Sequence, residues 1–300
     1  MIDLTVHEDE NGISVGAWLQ QRLPGIPSGY LRQLLRRGEI RVAGRALAAD
    51  ASLRPGDAIA LPENRRLQEL LAGILPPLTI LVETREALIV AKPAGVAVHR
   101  GVGHETDHLG LRVEQLLRQR RQTFRTAPVH RLDAATSGPV LFGKGRQAIA
   151  AFGGVFMNGP TSKRYLALVA GRTPTEGTLD SPVPVRGRDY AATTRFRCLA
   201  GNGNLSLLEL QLLTGRRHQL RRQLADAGHP IAGDERYRGG ALPGLGRLFL
   251  HCRQLVVANP FGEEPLVAEL ALPGDLAQLL DRLGLQLPPP LGAGGPTILL

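Results

Sequence analysis

Apolar residues recur at helical spacing in "SVGAWLQQRL" (Val15, Trp18, Leu19, Leu23) and "SGYLRQLLRRG" (Leu31, Leu34, Leu35). The pattern predicts two short helices, the second capped by Ser28 and stopped at Gly38. "EIRVAGRAL" then alternates through Ile40 and Val42 into Gly44, and "RPGDAIALP" reads as a turn followed by a strand. Residues 11–62 therefore predict a small α+β domain. A helical linker, "ENRRLQELLAGILPPL", follows over 63–78 and stops at a Pro pair.

A second, larger domain is predicted over 79–275. It opens with two strand-like runs in "LTILVETREALIVAKPAGVAVH". "LRVEQLLRQRR", "RQAIAAFGGVF" and "RRHQLRRQLADAGH" carry helical periods; in the last, Leu220, Leu224 and Ala227 form a stripe, with Arg217 and Arg221 on a neighbouring face. "SKRYLALVAG", "ATTRFRCLA" and "LSLLELQLL" read as strands in succession. This order argues for an α+β fold on a mixed, mainly antiparallel sheet with flanking helices, and against a doubly wound parallel one. Residues 276–300, ending "LPPPLGAGGPTILL", read as a loose Pro/Gly-rich tail.

Composition narrows the partners. The 300 residues carry a formal charge of +9, which favours a polyanion, nucleic acid before an anionic surface. On the second helix Arg32 and Arg36 share a face with Arg37 beside them; the bland alternative is a solvated surface. Two distant cysteines, Cys198 and Cys252, predict neither disulfide framework nor zinc knuckle and fit a reducing cytoplasm. The acidic start has no signal-peptide pattern, and no run is long enough for a membrane helix, so no membrane contact is expected.

The common nucleotide, metalloprotease and hydrolase-elbow motifs are missing, and His104 and His108 sit among glycines without a third ligand, so they read as loop residues. Three segments remain: "HRLDAATSG", "SKRYLALVAG" and "LLTGRRHQLRRQLADAGHPIAGDERY". In this order, behind "ALIVAKPAGVAVH", they resemble the RluA-type family of pseudouridine synthases. The stretch "YLRQLLRRGEIRVAGRAL" with "RPGDAI" resembles the small RNA-binding domain first described in ribosomal small-subunit protein S-four.

The resemblance implies Asp133, Tyr165 and Arg221 as catalytic residues. It implies Arg131 as the side chain that fills the gap left by a flipped uridine. His130, Thr136 and His218 join Arg131 as expected substrate contacts, and Arg32, Arg36, Arg37 and Arg41 as expected RNA contacts. The implied partner is RNA, ribosomal first and transfer second, bound by a monomer that needs no cofactor and no metal. Pro139 and Gly143 depart from the family pattern, and the Lys often found before "AATTRF" is missing.

The residues make chemical sense of that assignment. Isomerising uridine breaks the bond from C1′ to N1, turns the base, and rejoins it through C5. A carboxylate at the sugar-base junction needs a cation beside it, and Arg221 is the natural supplier. Whether Asp133 attacks the sugar, adds to the base or removes a ribose proton stays open. Tyr165 offers a stacking face and a hydroxyl that could help take the C5 proton. Thr136, Ser137 and Gly138 are expected to close a tight turn by local hydrogen bonds, and Asp234 to order its loop. The rivals are a non-catalytic RNA-binding scaffold and an Asp-dependent nucleoside hydrolase.

Overall fold

The computed structural model of the chain describes residues 2–23, 26–62, 64, 67, 70, 76–101, 104, 107–185 and 187–287. It divides at Pro76/Pro77 into two compact units.

In the first unit, strands β1 (Ile2–Thr5), β2 (Arg41–Val42), β3 (Arg45–Ala46) and β4 (Ala58–Leu61) pair antiparallel in the order β1-β4-β2-β3. Ala43 and Gly44, both at positive φ, close the two-residue turn between β2 and β3. Helix α1 (Val15–Arg22) starts where the Ser14 hydroxyl accepts from the Ala17 N–H. Helix α2 (Ser28–Arg36) presents Leu31, Leu34 and Leu35 to a core shared with Trp18, Leu19 and Ile59. The expected Ser28 cap is displaced by one residue. Pro27 occupies the cap, its carbonyl accepting from Tyr30 and Leu31, because its fixed φ already suits a helix entrance. Gly38, at φ 66°, stops the helix as expected.

The unit is larger than 11–62. Strand β1 completes its sheet, and Leu67 is buried in its core, so part of the expected linker belongs to it. The expected linker helix otherwise lies mainly outside the described residues.

The second unit carries two main antiparallel sheets. Strands β5 (Ile80–Glu83), β6 (Ala87–Lys92), β7 (Thr126–Pro128) and β8 (Gly138–Lys144) lie in the order β5-β6-β8-β7. The larger sheet combines β9 (Thr161–Ala170), β10 (Glu176–Asp180), β13 (Thr193–Gly201), β14 (Leu205–Leu212), β15 (Leu250–Val257) and β16 (Leu266–Glu269), in the order β10-β13-β14-β9-β15-β16. A separate ribbon joins β11 (Val183–Val185) to β12 (Arg188–Tyr190).

Helices α3 (Leu109–Gln119), α4 (Arg146–Asn158), α5 (Gln219–Asp226) and α6 (Gly274–Arg282) cover these sheets. Strand β6 is a continuous apolar run because both its faces are buried. Leu88 and Val90 join the main core with Val113 and Leu220, while Ala87 and Ile89 face Phe152 of α4 on the other side. The same close packing explains Gly143: a Cβ there would sit 2.7 Å from the backbone of Ile149.

Three expectations change. The tail does not begin at 276: Leu276, Leu279 and Leu280 of α6 and then Leu285 are buried in the main core, and residues 288–300 lie outside the described ones. The Pro/Gly-rich reading holds for the composition of the last stretch but obscured a short amphipathic helix just before it. Helix α5 begins only at Gln219, so Arg217 precedes it and is exposed, and Ala227 is exposed beyond its end. Its buried face is instead Gln219, Leu220, Gln223 and Leu224. Gln223 and Gln219 are tolerated there because their amides bond to the carbonyls of Ala192 and Thr193.

Leu279→Ala is expected to destabilise the protein by about 3 kcal/mol through lost burial and a residual cavity. Urea unfolding checks this; a change under about 0.5 kcal/mol would return α6 to the status of a tail.

Candidate active site

The loop 129–137 joins β7 to β8 and carries Asp133. It turns through a backbone bond from the Thr136 N–H to the Asp133 carbonyl, 3.0 Å. Beneath it lies Lys92, at the end of β6 and 1% exposed. The Lys92 ammonium donates to the carbonyls of Pro93 (2.8 Å), Val96 (2.7 Å) and Ala134 (2.9 Å). Burial pulls its pKa down to about 7, against the opposing charge of Asp133. The three acceptors still match the three N–H bonds of the ammonium form.

The loop is fixed at its far end by β15. Ser137 and His251 form an isolated parallel bridge, and the Cys252 N–H donates to the Ser137 carbonyl at 2.8 Å. Gly138 sits at φ 146°, where a Cβ would lie 2.5 Å from that of Cys252, so only glycine lets the strands approach. The expected local side-chain bonds of Ser137 are not made. Its hydroxyl instead meets His251 Nδ1 at 2.9 Å and accepts from Arg247 at 3.3 Å, because β15 runs closer to it than its own backbone turn does. His251 is fully buried, its Nε2 3.1 Å from the Leu270 carbonyl, and burial lowers its pKa to about 4. It is therefore neutral, donating from Nε2 and accepting at Nδ1.

Asp133 opens into a pocket of about 140 Å³ lined by Arg131, Thr136, Lys163, Tyr165, His218 and Arg221, among others. Its two carboxylate oxygens lie 3.7 Å from His218 Nε2 and 3.7 Å from Arg221 Nη1. Arg221 is held in plane by a bidentate pair with Asp234, both bonds 2.7 Å, and Asp234 is 1% exposed. Burial works against the Arg221 charge, but the bond to Asp234 and then the charges of Asp234 and Asp133 hold its pKa above the ordinary value. Asp234 therefore does more than order its loop: it aims the guanidinium at Asp133.

His218 has a left-handed backbone, φ 56° and ψ 23°, which turns the chain into α5. Its Nδ1 lies 2.8 Å from the Tyr237 hydroxyl, which in turn accepts from Arg222 Nε at 3.1 Å. Burial, ahead of any charge, lowers the His218 pKa.

Tyr165 is buried on β9, directly across the sheet from Cys252 of β15. Burial raises the Tyr165 pKa well above 10 and that of Cys252 to about 12. Tyr165 thus lines the pocket beside Asp133 in its protonated form. His130 is placed apart from these residues. It stacks on Phe156 at 4.5 Å, its Nε2 accepts from the Leu141 N–H, and it lies outside the pocket lining, so it braces the hairpin. Arg131 is exposed at the pocket, and Thr136 is buried beside it. His108 caps α3 through a bond from the Leu111 N–H, and among the described residues no group of three His, Cys, Asp or Glu is placed to hold a metal.

A family profile described as RNA pseudouridylate synthase matches residues 86–226, from β6 through α5. An uncharacterized RNA pseudouridine synthase of Bacillus subtilis, YhcT, is 31% identical over 93% of this chain and 96% of its own. Ribosomal large subunit pseudouridine synthase C of Vibrio cholerae is also 31% identical over 93% of this chain and 96% of its own. The chain belongs to the RluA-type family of RNA pseudouridine synthases. It is an isomerase that acts on RNA. Human RNA pseudouridylate synthase domain containing 4 shares the fold with a TM-score of 0.61, at 25% identity over 75% of this chain and all of that one.

The RluA-type pocket thus brings Asp133, Tyr165, Arg221, Arg131, Thr136 and His218 together. Arg32, Arg36, Arg37 and Arg41 belong to the first unit, where the first three line a groove of about 890 Å³ and Arg41 is exposed on β2 outside it. Sequence reading passed over Lys92, Lys163 and Tyr237 as site-building residues and gave Asp234 only its own loop. The signal for Lys92 was a lone lysine directly after the apolar run of β6, a position that burial makes costly unless the charge is used.

Lys92→Met leaves three carbonyls without a donor, and a loss of about 3 kcal/mol is expected in urea unfolding; a loss below about 1 kcal/mol would show that the loop does not depend on it. His251 gives a pH signature. Its folded pKa lies below its unfolded one, so its contribution is present above pH 6.5 and is lost as pH falls through 6.5 toward 4. Between pH 7.5 and 5, wild type is expected to lose about 2 kcal/mol more than His251→Asn; equal losses would show that His251 is not held neutral.

Proposed function

We propose that this enzyme isomerises uridine in large-subunit ribosomal RNA, with Asp133 as the essential acid and the target base flipped into the Asp133 pocket. The observation that carries the reading is the Asp133 carboxylate facing a guanidinium that Asp234 holds rigid, beside the ring of Tyr165. Arg221 supplies the counter-charge for a carboxylate working at the sugar-base junction. Tyr165 stacks on the uracil. Arg131, long, planar and exposed at the rim, fills the gap the base leaves in the RNA.

Ribosomal RNA is favoured by the relatives that carry large-subunit names at about one-third identity across nearly the whole chain. The first unit supports an RNA partner independently. Arg32 and Arg36 of α2 and Arg37 just past its end line one groove, the arrangement that phosphate contacts need, and such contacts carry no base information. We read this unit as an RNA-binding domain of the S-four type, with Arg41 on the same small sheet.

Wild type and Asp133→Asn are incubated with unmodified large-subunit ribosomal RNA transcript, and pseudouridine is mapped at single-nucleotide resolution. The expected result is signal at one or a few uridines that Asp133→Asn abolishes, a loss of at least about 10³-fold in rate. Signal on transfer RNA alone would move the substrate assignment, and an active Asp133→Asn would remove the acid from its role.

A further inference from the structure

Most of the buried cations around this site are anchored. Lys92 has three carbonyls, Arg221 has Asp234, Arg112 has Asp107 at 2.6 Å, and Lys144 has Glu83 at 3.0 Å. Lys163 is different. It lies on β9 two residues before Tyr165 and so on the same face of the strand, and it lines the pocket with Asp133. Among the described residues its ammonium makes no hydrogen bond and no ion pair. It rests over the ring of Phe156 at 4.9 Å, and that ring also stacks on His130.

Its neighbours give it no negative charge. The Cys252 thiol is held in its neutral form by burial, and His130, buried, is neutral as well. An ammonium kept half-buried without an anion is costly, and the cost is recovered when an anion enters the pocket. Burial lowers the Lys163 pKa, the direction expected of an ammonium that lacks such a partner.

The reaction creates one. The C1′–N1 bond breaks with its electron pair going to the base, which leaves a uracil anion with charge spread over N1 and the two carbonyl oxygens. The new bond joins C5 to C1′, C5 gives up its proton and N1 gains one, so the net change is isomerisation with no co-reactant. A base stacked on Tyr165 would present an edge toward the residue two positions along the same face of β9.

We infer that Lys163 is a further catalytic residue, whose ammonium contacts a carbonyl oxygen of the flipped uracil and stabilises the anion formed when the glycosidic bond breaks. This rests on the reading that the Asp133 pocket holds the target uridine. A charge that matters only once the base has left should act on the chemical step and leave RNA affinity alone.

The test measures single-turnover rate constants and RNA dissociation constants for wild type, Lys163→Met, Lys163→Gln, Lys163→Arg and Asp133→Asn on the transcript that wild type modifies. The expected result is a rate constant about 10²- to 10³-fold lower in Lys163→Met and Lys163→Gln, unchanged RNA affinity, a melting temperature no lower than that of wild type, and partial recovery in Lys163→Arg. Two neutral variants of different polarity guard against one of them misfolding. Rates within about threefold of wild type in a folded neutral variant would overturn the proposal. So would a weakened affinity with an unchanged rate constant, which would make Lys163 a phosphate contact. If Asp133→Asn retains full activity, it is the pocket assignment that has failed.

Discussion

Lys92 reaches from the end of β6 to the underside of the 129–137 loop, where its three N–H groups join the Ala134 carbonyl of the turn that carries Asp133 to the Pro93 and Val96 carbonyls of the segment after β6. A loop without regular structure has to satisfy its backbone somewhere, and here a buried side chain does it. The anchoring works together with the close approach of Gly138 to Cys252, where the smaller sheet meets β15 of the larger one. Asp133 is thus suspended between two sheets, and Tyr165 and Lys163 face it from β9, the strand paired to β15.

Around that loop the charges fall into two classes. Arg221 is committed to Asp234 by two short bonds, which fix its plane and leave one nitrogen for Asp133. A buried pair of this kind adds little net stability, since desolvation offsets most of the attraction, but it removes the freedom of a long side chain. The contacts from Arg222 to Tyr237 to His218 do the same for an imidazole, holding its Nε2 toward the carboxylate. Lys163 belongs to the other class, a cation whose partner comes with the substrate. Preorganising fixed charges while leaving one uncompensated directs binding energy toward the charge that develops during reaction.

The motif residues were legible because local spacing reports them. Asp133, Tyr165 and Arg221 stand in short segments with strong turn, strand and helix patterns; the strand formed where the periodicity placed it, and the helix formed with a later start at Gln219. Boundaries were less legible. Strand β1 hid in an acidic start because a four-residue edge strand needs only its partner β4, and α6 hid beside a Pro/Gly-rich end because its three leucines make a helix face only when a core is there to receive them. His130 shows the limit most clearly. Adjacent to Arg131 in sequence, it points the other way, onto Phe156.

By itself the sequence determined the α+β class and the family, and it singled out Asp133, Tyr165 and Arg221, the residues the pocket gathers, since each is written in spacings of a few residues. Only the tertiary structure decided which charges are neutralised and which are free. Ser137 meets His251 across 114 positions, Lys92 meets Ala134 across 42, and Lys163 meets no anion at all among the described residues. Burial and pairing are properties of how distant segments pack, and the energy of a charge depends on them far more than on its neighbours along the chain.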